Sequence, residues 1–243
     1  GTFKPILYRK LLNPLNAIRI KSRLKDKLVL RNDLNEHPYI LYPLHTEPEL
    51  VLSQFARPYL NQIEVVRNIS LGIPVGMKLY LKEHPMMFGR RPVTYYEKLL
   101  QIPNVMLVDW KIPSEIVIDK AKLVAVIRGA IGLEAVMRKK PVVALGQSMF
   151  SLLPESMYSF CDNIYELPAI INRMLDQYDY QHEALLRYIS AVIEGAVPVN
   201  LVSDLLGKSG RYRSDIDGNS STFEDHPHLD LLADHLLDRV LNN

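Results

Sequence analysis

The sequence predicts an α/β fold, a doubly wound parallel sheet covered by helices on both faces. Three observations carry this expectation. Between residues 39 and 145, short apolar runs alternate with stretches of helical periodicity, the pattern of parallel strands joined by helical crossovers. The polar residues that follow each apolar run collect at what would be one edge of the sheet, the carboxyl ends of the strands, where such sheets bind ligands. The chain has 243 residues, 48% apolar and 23% charged, which is enough to bury a core in one or two domains.

Each element follows in order. Tyr39 to Leu44 (YILYPL) is a short apolar run with Pro38 before it and Pro43 near its end. Leu60, Ile63, Val66 and Ile69 recur at helical spacing within Phe55 to Leu71. A strand from Met77 to Lys82, a helix around Tyr95 to Leu100 and a strand from Val105 to Val108 come next. A short helix near Ser114 to Lys120 has Ser114 as its expected cap and Glu115 in its first turn. The strand Leu123 to Ile127, a helix from Ile131 to Arg138 and the strand Val142 to Leu145 complete the alternation. Beyond residue 160 the pattern is helical: Leu167 to Gln177, His182 to Glu194, Leu201 to Leu206 and Leu229 to Leu241, with a polar, glycine- and serine-rich loop over residues 208–225. These readings divide the chain into a basic helical connector (1–35), a nucleotide-binding α/β domain (36–165) and C-terminal helices packing on it (166–243).

Composition excludes several classes. No apolar run reaches 18 residues and no signal peptide opens the chain. The single cysteine, Cys161, forms no internal disulfide or thiolate cluster and reads as a small buried hydrophobe in a reducing cytoplasm. Net charge is only +2, but residues 1–31 hold nine basic residues against Asp26 alone, leaving 20 basic and 26 acidic residues in the remainder. This basic segment suits an anionic membrane surface, a solvated helix face or a connector to a partner domain. Aromatic residues are not interleaved with its cations, so nucleic acid is not an expected partner.

The chemistry gathers at the predicted strand ends. His84 precedes Pro85, which biases it toward an extended conformation at the end of its strand. There it suits donation to a phosphate oxygen, with Lys82, Arg90 and Arg91 neutralising charge. Arg128 to Ala135 (RGAIGLEA) places Gly129 and Gly132 three apart between a strand and a helix. That arrangement lets backbone amides approach an anion at the positive end of the helix. It lacks the third glycine of the dinucleotide fingerprint. Glu134, expected in the first helical turn, suits ribose hydroxyls or simply the helix-start charge. Trp110, beside Asp109, either stacks on a base or packs. Asp215 and Asp217 have D-x-D spacing but lie away from any strand end, and His226-Pro227-His228 lacks a supporting ligand set, so no metal is expected.

Four segments in this order, PLHTEPE (Pro43 to Glu49), LYLKEHP (Leu79 to Pro85), RGAIGLEA and KPVVALG (Lys140 to Gly146), resemble the motifs of bacterial capsule and surface-polysaccharide biosynthesis proteins. The resemblance covers roughly residues 38–160. It implies one Rossmann-like half of a GT-B glycosyltransferase, the half that binds a CMP- or UDP-linked sugar donor without a cofactor or metal. His84 would contact donor phosphate, Gly129 and Gly132 would cradle it, and Glu134 would hold the ribose. His45 and Glu47 would face the sugar or the cleft, and with His84 form the catalytic set. Arg128 and Ala130 stand where the family usually carries small hydroxyl residues, which implies altered donor contacts or weakened activity.

The same resemblance implies a glycan or lipid-linked acceptor and an N-terminal acceptor-binding half. Only about 35 residues precede the first predicted strand, so the chain is expected to be the C-terminal part of a longer protein, peripheral at the inner face of the plasma membrane. A nucleotide-sugar 2-epimerase, a CDP-polyol phosphotransferase or a non-catalytic module of polysaccharide assembly are the alternatives on the same fold.

Overall fold

The structure, a computed structural model, describes residues 12–199 and 227–241. The chain forms two compact units, Gly1–Leu185 and Leu186–Asn243. In the first, helix α1 (Asn13–Leu24) leads to strand β1 (Leu28–Val29), β2 (Tyr39–Pro43), α2 (Leu50–Phe55) and α3 (Gln62–Gly72). Then come β3 (Lys78–Lys82), α4 (Val93–Leu100), β4 (Val105–Val108), α5 (Ser114–Lys120), β5 (Leu123–Val126) and α6 (Ala130–Met137). Strands β6 (Val142–Ala144) and β7 (Tyr158–Phe160) and helix α7 (Leu167–Asp176) follow. Helix α8 (His182–Glu194) begins in this unit and ends in the second, where α9 (Pro227–Leu241) also lies. None of the described helices is long and apolar enough to cross a membrane.

The sheet is parallel throughout, in the order β1-β4-β3-β2-β5-β6-β7. Both faces are covered, as a doubly wound fold requires. On one face Ile40, Tyr42, Leu79, Leu81, Leu107 and Ala125 pack in a single cluster with Ile20 of α1, Val66 of α3, Leu99 of α4 and Ile171 of α7. The other face lies under α5 and α6: the Tyr39 hydroxyl donates to the Val117 carbonyl at 2.6 Å, and a Cβ placed at Gly132 would stand 3.5 Å from Val126 and Tyr158 and 3.7 Å from Val142.

The predicted α/β fold is therefore present, with differences in detail. Strands β1 and β7 extend the sheet at both edges, so residues 13–29, read above as part of a connector, supply a helix and a strand to the unit. The helix expected over Phe55 to Leu71 begins only at Gln62: α2 ends at Phe55, and a 3-10 turn at Arg57–Tyr59 that holds Pro58 comes between. Asn61 then caps α3 by accepting from the Ile63 amide at 3.2 Å. Ser114 is the first residue of α5 rather than its cap, since Pro113 precedes it with no side-chain cap bond, while Glu115 does stand in the first turn. The expected helix Leu201 to Leu206, the loop over 208–225, Asp215, Asp217 and His226 lie outside the described residues.

Two features of this architecture place the functional residues. First, β2 lies between β3 and β5, so the order of strands reverses beside it. A crevice opens at the carboxyl end of such a reversal. Second, α1 is fastened to the loop that follows β3. Asn16 Nδ2 donates to the carbonyls of Gly89 at 3.0 Å and Arg91 at 2.5 Å. Gly89 has φ +86, and a Cβ there would sit 2.8 Å from the Asn13 carbonyl oxygen, so the helix can lie this close only against glycine.

Candidate functional site

At the end of β2, the Leu44 amide still pairs with the Lys82 carbonyl at 2.9 Å before the chain turns away at His45. The buried Gln62 side chain, at the start of α3, takes over from the sheet. Its Oε1 accepts from the His45 amide at 2.7 Å and its Nε2 donates to the His45 carbonyl at 3.1 Å. Gln62 Nε2 also donates to Glu47. The imidazole of His45 is thus held with Nδ1 3.4 Å from Glu49 Oε2. Its Nε2 is buried and has no hydrogen-bond partner among the described residues. Burial pushes the His45 pKa below its ordinary value; Glu49 opposes this, and His84 and Arg91 add to it. A neutral ring with its proton on Nδ1, facing Glu49, leaves Nε2 as a free base.

At the end of β3, three consecutive polar residues point to different places. Lys82 is buried and donates to the Trp110 carbonyl at 2.9 Å, across β4. Burial lowers its pKa, opposed by Asp109 and Glu83. Glu83 is also buried, and accepts from the His84 amide at 2.7 Å and the Tyr96 hydroxyl at 2.6 Å. Its partner is Arg91, whose Nε lies 3.5 Å from Glu83 Oε2.

Arg91 is 3% exposed, stacks on the Tyr95 ring at 4.6 Å, lies 3.9 Å from Glu47 Oε1 and donates through Nη2 to the His45 carbonyl. Its Nη1 is buried without a hydrogen-bond partner among the described residues. Arg90, by contrast, is exposed. His84 is exposed as well, and its Nδ1 accepts from the Met86 amide at 3.2 Å, capping the turn that Pro85 begins. That bond fixes the neutral tautomer, so Nε2 carries the hydrogen and can donate outward.

Across the strand reversal, at the end of β5, Arg128 lays its guanidinium over the Phe55 ring at 4.5 Å. It lines a cavity of about 290 Å³ with Phe55, Gln147 and Ser148. Gly129 has φ +117, a conformation that favours glycine, and this bend starts α6. Built at Gly129, a Cβ would stand 3.8 Å from His45 Cε1, so the histidine and the glycine turn face each other across the crevice.

The structure therefore brings His45, Glu47, Arg91, Arg128 and Gly129 to one edge, with His84 close enough to His45 to influence its charge. It separates other expected members. Gly132 faces the sheet rather than an anion. Glu134 stands in the second turn, because α6 starts at Ala130, and its carboxylate pairs with Arg138 at 3.3 Å; Arg138 in turn grips Asp119 at 2.9 and 3.0 Å. Lys82 and Arg90 are directed elsewhere or into solvent. Trp110 stacks on Phe88 at 4.3 Å, a packing role. Cys161 is buried, with its pKa pushed up to about 11 by desolvation.

Sequence reasoning missed Glu49, Gln62 and Glu83. Glu49 lies four residues after His45, a visible pairing distance, whereas the roles of Gln62 and Glu83 depend on contacts from other elements.

The two site histidines give this edge a defined response to acid. Both are held below the ordinary value of 6.5 by desolvation, strong at His45 and only partial at the largely exposed His84, with Glu49 opposing in each case. The folded state disfavours their protonation, so the unfolded chain binds more protons below that value and stability falls as pH drops from 7 towards 5.5. Thermal melts across this range are expected to show a decline that is shallower when His45 and His84 are both glutamine.

The model of the family described as capsule polysaccharide biosynthesis protein matches residues 19–153. No curated protein matches the chain. Among solved structures, KpsC of Thermosulfurimonas dismutans, a beta Kdo 2,7 transferase, is 16% identical with a TM-score of 0.43, over 77% of this chain and 66% of that one. MnaA of S. aureus, solved with UDP, is 14% identical with a TM-score of 0.43, over 67% and 47%. The UDP-GlcNAc 2-epimerase of Methanocaldococcus jannaschii is 14% identical with a TM-score of 0.44, over 72% and 49%. The chain spans less than two thirds of the length of each of these three.

Proposed function

Because the chain belongs to the capsule polysaccharide biosynthesis protein family, we propose that it is the donor-binding unit of a glycosyltransferase that takes sugar from a nucleotide sugar. The observation that carries this reading is His45, whose ring faces the glycine turn of Gly129 and whose buried Nε2 has no partner among the described residues; Arg91, which donates to the His45 carbonyl, likewise leaves its buried Nη1 without one. Buried polar atoms without partners are costly, and a bound ligand is one way to satisfy them.

In this reading the donor phosphate lies against the amides of Ala130 and Ile131, the first two of α6, while the Gly132 amide donates to the Gly129 carbonyl at 3.1 Å. Arg128 adds charge from the adjoining cavity, and His84 donates from Nε2 while neutral. These groups stabilise the negative charge that develops as the bond from the anomeric carbon to the phosphate oxygen breaks and the electron pair leaves with the nucleotide. An acceptor hydroxyl attacks the anomeric carbon, and its proton passes to His45 Nε2, with Glu49 steadying the imidazolium that forms. No step needs a metal. The acceptor is a glycan or a lipid-linked glycan.

Calorimetric titration with CMP, CDP, UDP and GDP tests the binding step. One of these nucleotides is expected to bind, with affinity reduced roughly 10- to 100-fold by Arg128→Ala and about tenfold by His84→Ala. Absence of binding by all four would leave a non-catalytic module as the better description.

A further inference from the structure

Helix α1 has two faces that differ in kind. Its inner face holds Ile20 at 1% and Leu24 at 0% exposure, packed into the sheet core. At about 100° per residue the opposite side falls to Leu12, Leu15 and Ile18, which are 39%, 47% and 62% exposed. Ser22 also falls on this stripe, and cations stand at its two edges: Arg19 and Arg23 beside Leu12, Lys21 beyond Ile18, with Lys25 on that side in the 3-10 turn that follows and that also holds Asp26. The segment Asn13–Leu24 contains no acidic residue. Among the described residues none of these four cations is paired with a carboxylate, though Lys21 also leans over Phe88 at 5.8 Å.

An apolar stripe bordered by basic side chains is the arrangement of a helix lying in a membrane interface. The stripe enters the acyl boundary while the long cationic side chains reach back to lipid phosphates. An acidic protein groove would match the cations but would not require the exposed apolar side chains between them. The helix is also fixed before any contact, by the Asn16 bonds to Gly89 and Arg91 and by its packing on the sheet, so its outward face is preformed and costs little ordering on docking.

We propose that α1 docks in the plane of an anionic phospholipid surface, with Leu12, Leu15 and Ile18 inserted and Arg19, Arg23, Lys21 and Lys25 on the headgroups. Since Asn16 ties α1 to the loop carrying His84 and Arg91, docking holds that loop beside the bilayer. The proposal stands independently of which nucleotide the site binds.

Sedimentation of the full chain with phosphatidylglycerol-containing vesicles, against pure phosphatidylcholine vesicles, tests this. Binding is expected to the anionic vesicles only and to weaken with added salt. Each of Arg19→Gln and Arg23→Gln is expected to weaken it about fivefold, and Ile18→Asp about tenfold or more. These side chains are exposed, so unchanged thermal melts for the variants confirm that the fold is intact. Three outcomes overturn the proposal: no sedimentation with anionic vesicles, binding that Ile18→Asp and the arginine variants leave unchanged, or self-association of the chain in solution that Ile18→Asp abolishes.

Discussion

Glu83→Ala is expected to destabilise the chain by about 3–5 kcal/mol, lowering the melting temperature by roughly 6–20 °C. Glu83 sits at the end of a central strand and is the buried carboxylate nearest Arg91, at 3.5 Å. It also accepts from the Tyr96 hydroxyl and the His84 amide. Burial raises its pKa, while Arg91 and these hydrogen bonds pull it back down. Removing the carboxylate leaves Arg91 almost fully buried with only the more distant Glu47 to balance it, and leaves the tyrosine hydroxyl without its acceptor. Urea denaturation of the variant measures the loss. Replacing both members, Glu83→Leu with Arg91→Met, is expected to recover most of it, because an apolar pair of similar volume carries no uncompensated charge. A single-variant loss under about 1 kcal/mol would show that the ion pair does not anchor this edge.

The second large effect concerns turnover. His45→Ala is expected to lower the rate of acceptor-dependent nucleotide release by about 10²- to 10⁴-fold, the usual contribution of a positioned acid–base group. Nucleotide affinity should change little, because the proposed phosphate contacts are Arg128, His84 and the α6 start rather than His45. Glu49→Gln should fall between the two, since it keeps a polar partner for Nδ1 but cannot balance an imidazolium. The measurement is made with the protein in its natural length, the nucleotide sugar of the nucleotide that binds, and a glycan acceptor. Turnover equal to that of the parent would assign proton transfer to another group. Loss of nucleotide affinity in proportion to turnover would instead make His45 a binding residue.

The sheet was legible because its strands are local apolar runs, and local patterns survive without knowledge of tertiary contacts. Strand β1 was not, since two residues have no periodicity and its partner β4 lies nearly 80 residues away. At the site, the sequence placed His84 and Gly129 at strand ends correctly, because proline and glycine mark such positions by themselves. It treated the neighbouring charges as one set of phosphate contacts. Lys82 and Arg91 are instead drawn to the Trp110 carbonyl and to Glu83, partners contributed by other elements. Glu134 illustrates a signal that was present: Arg138 stands four residues on, at the spacing of a helical ion pair.

Strands β2 and β5 join where the strand order reverses. The join rests on two register pairs, Ile40 with Leu123 and Leu41 with Val124, whereas β2 and β3 share five. The candidate site straddles this join, with His45 and His84 after β2 and β3 and Arg128 and Gly129 after β5. In the proposed reading, a donor gripped from both sides would act as a staple across this join. At a hundred times its dissociation constant such a ligand would add about 2.7 kcal/mol to the folded state, a gain that resists unfolding at the join.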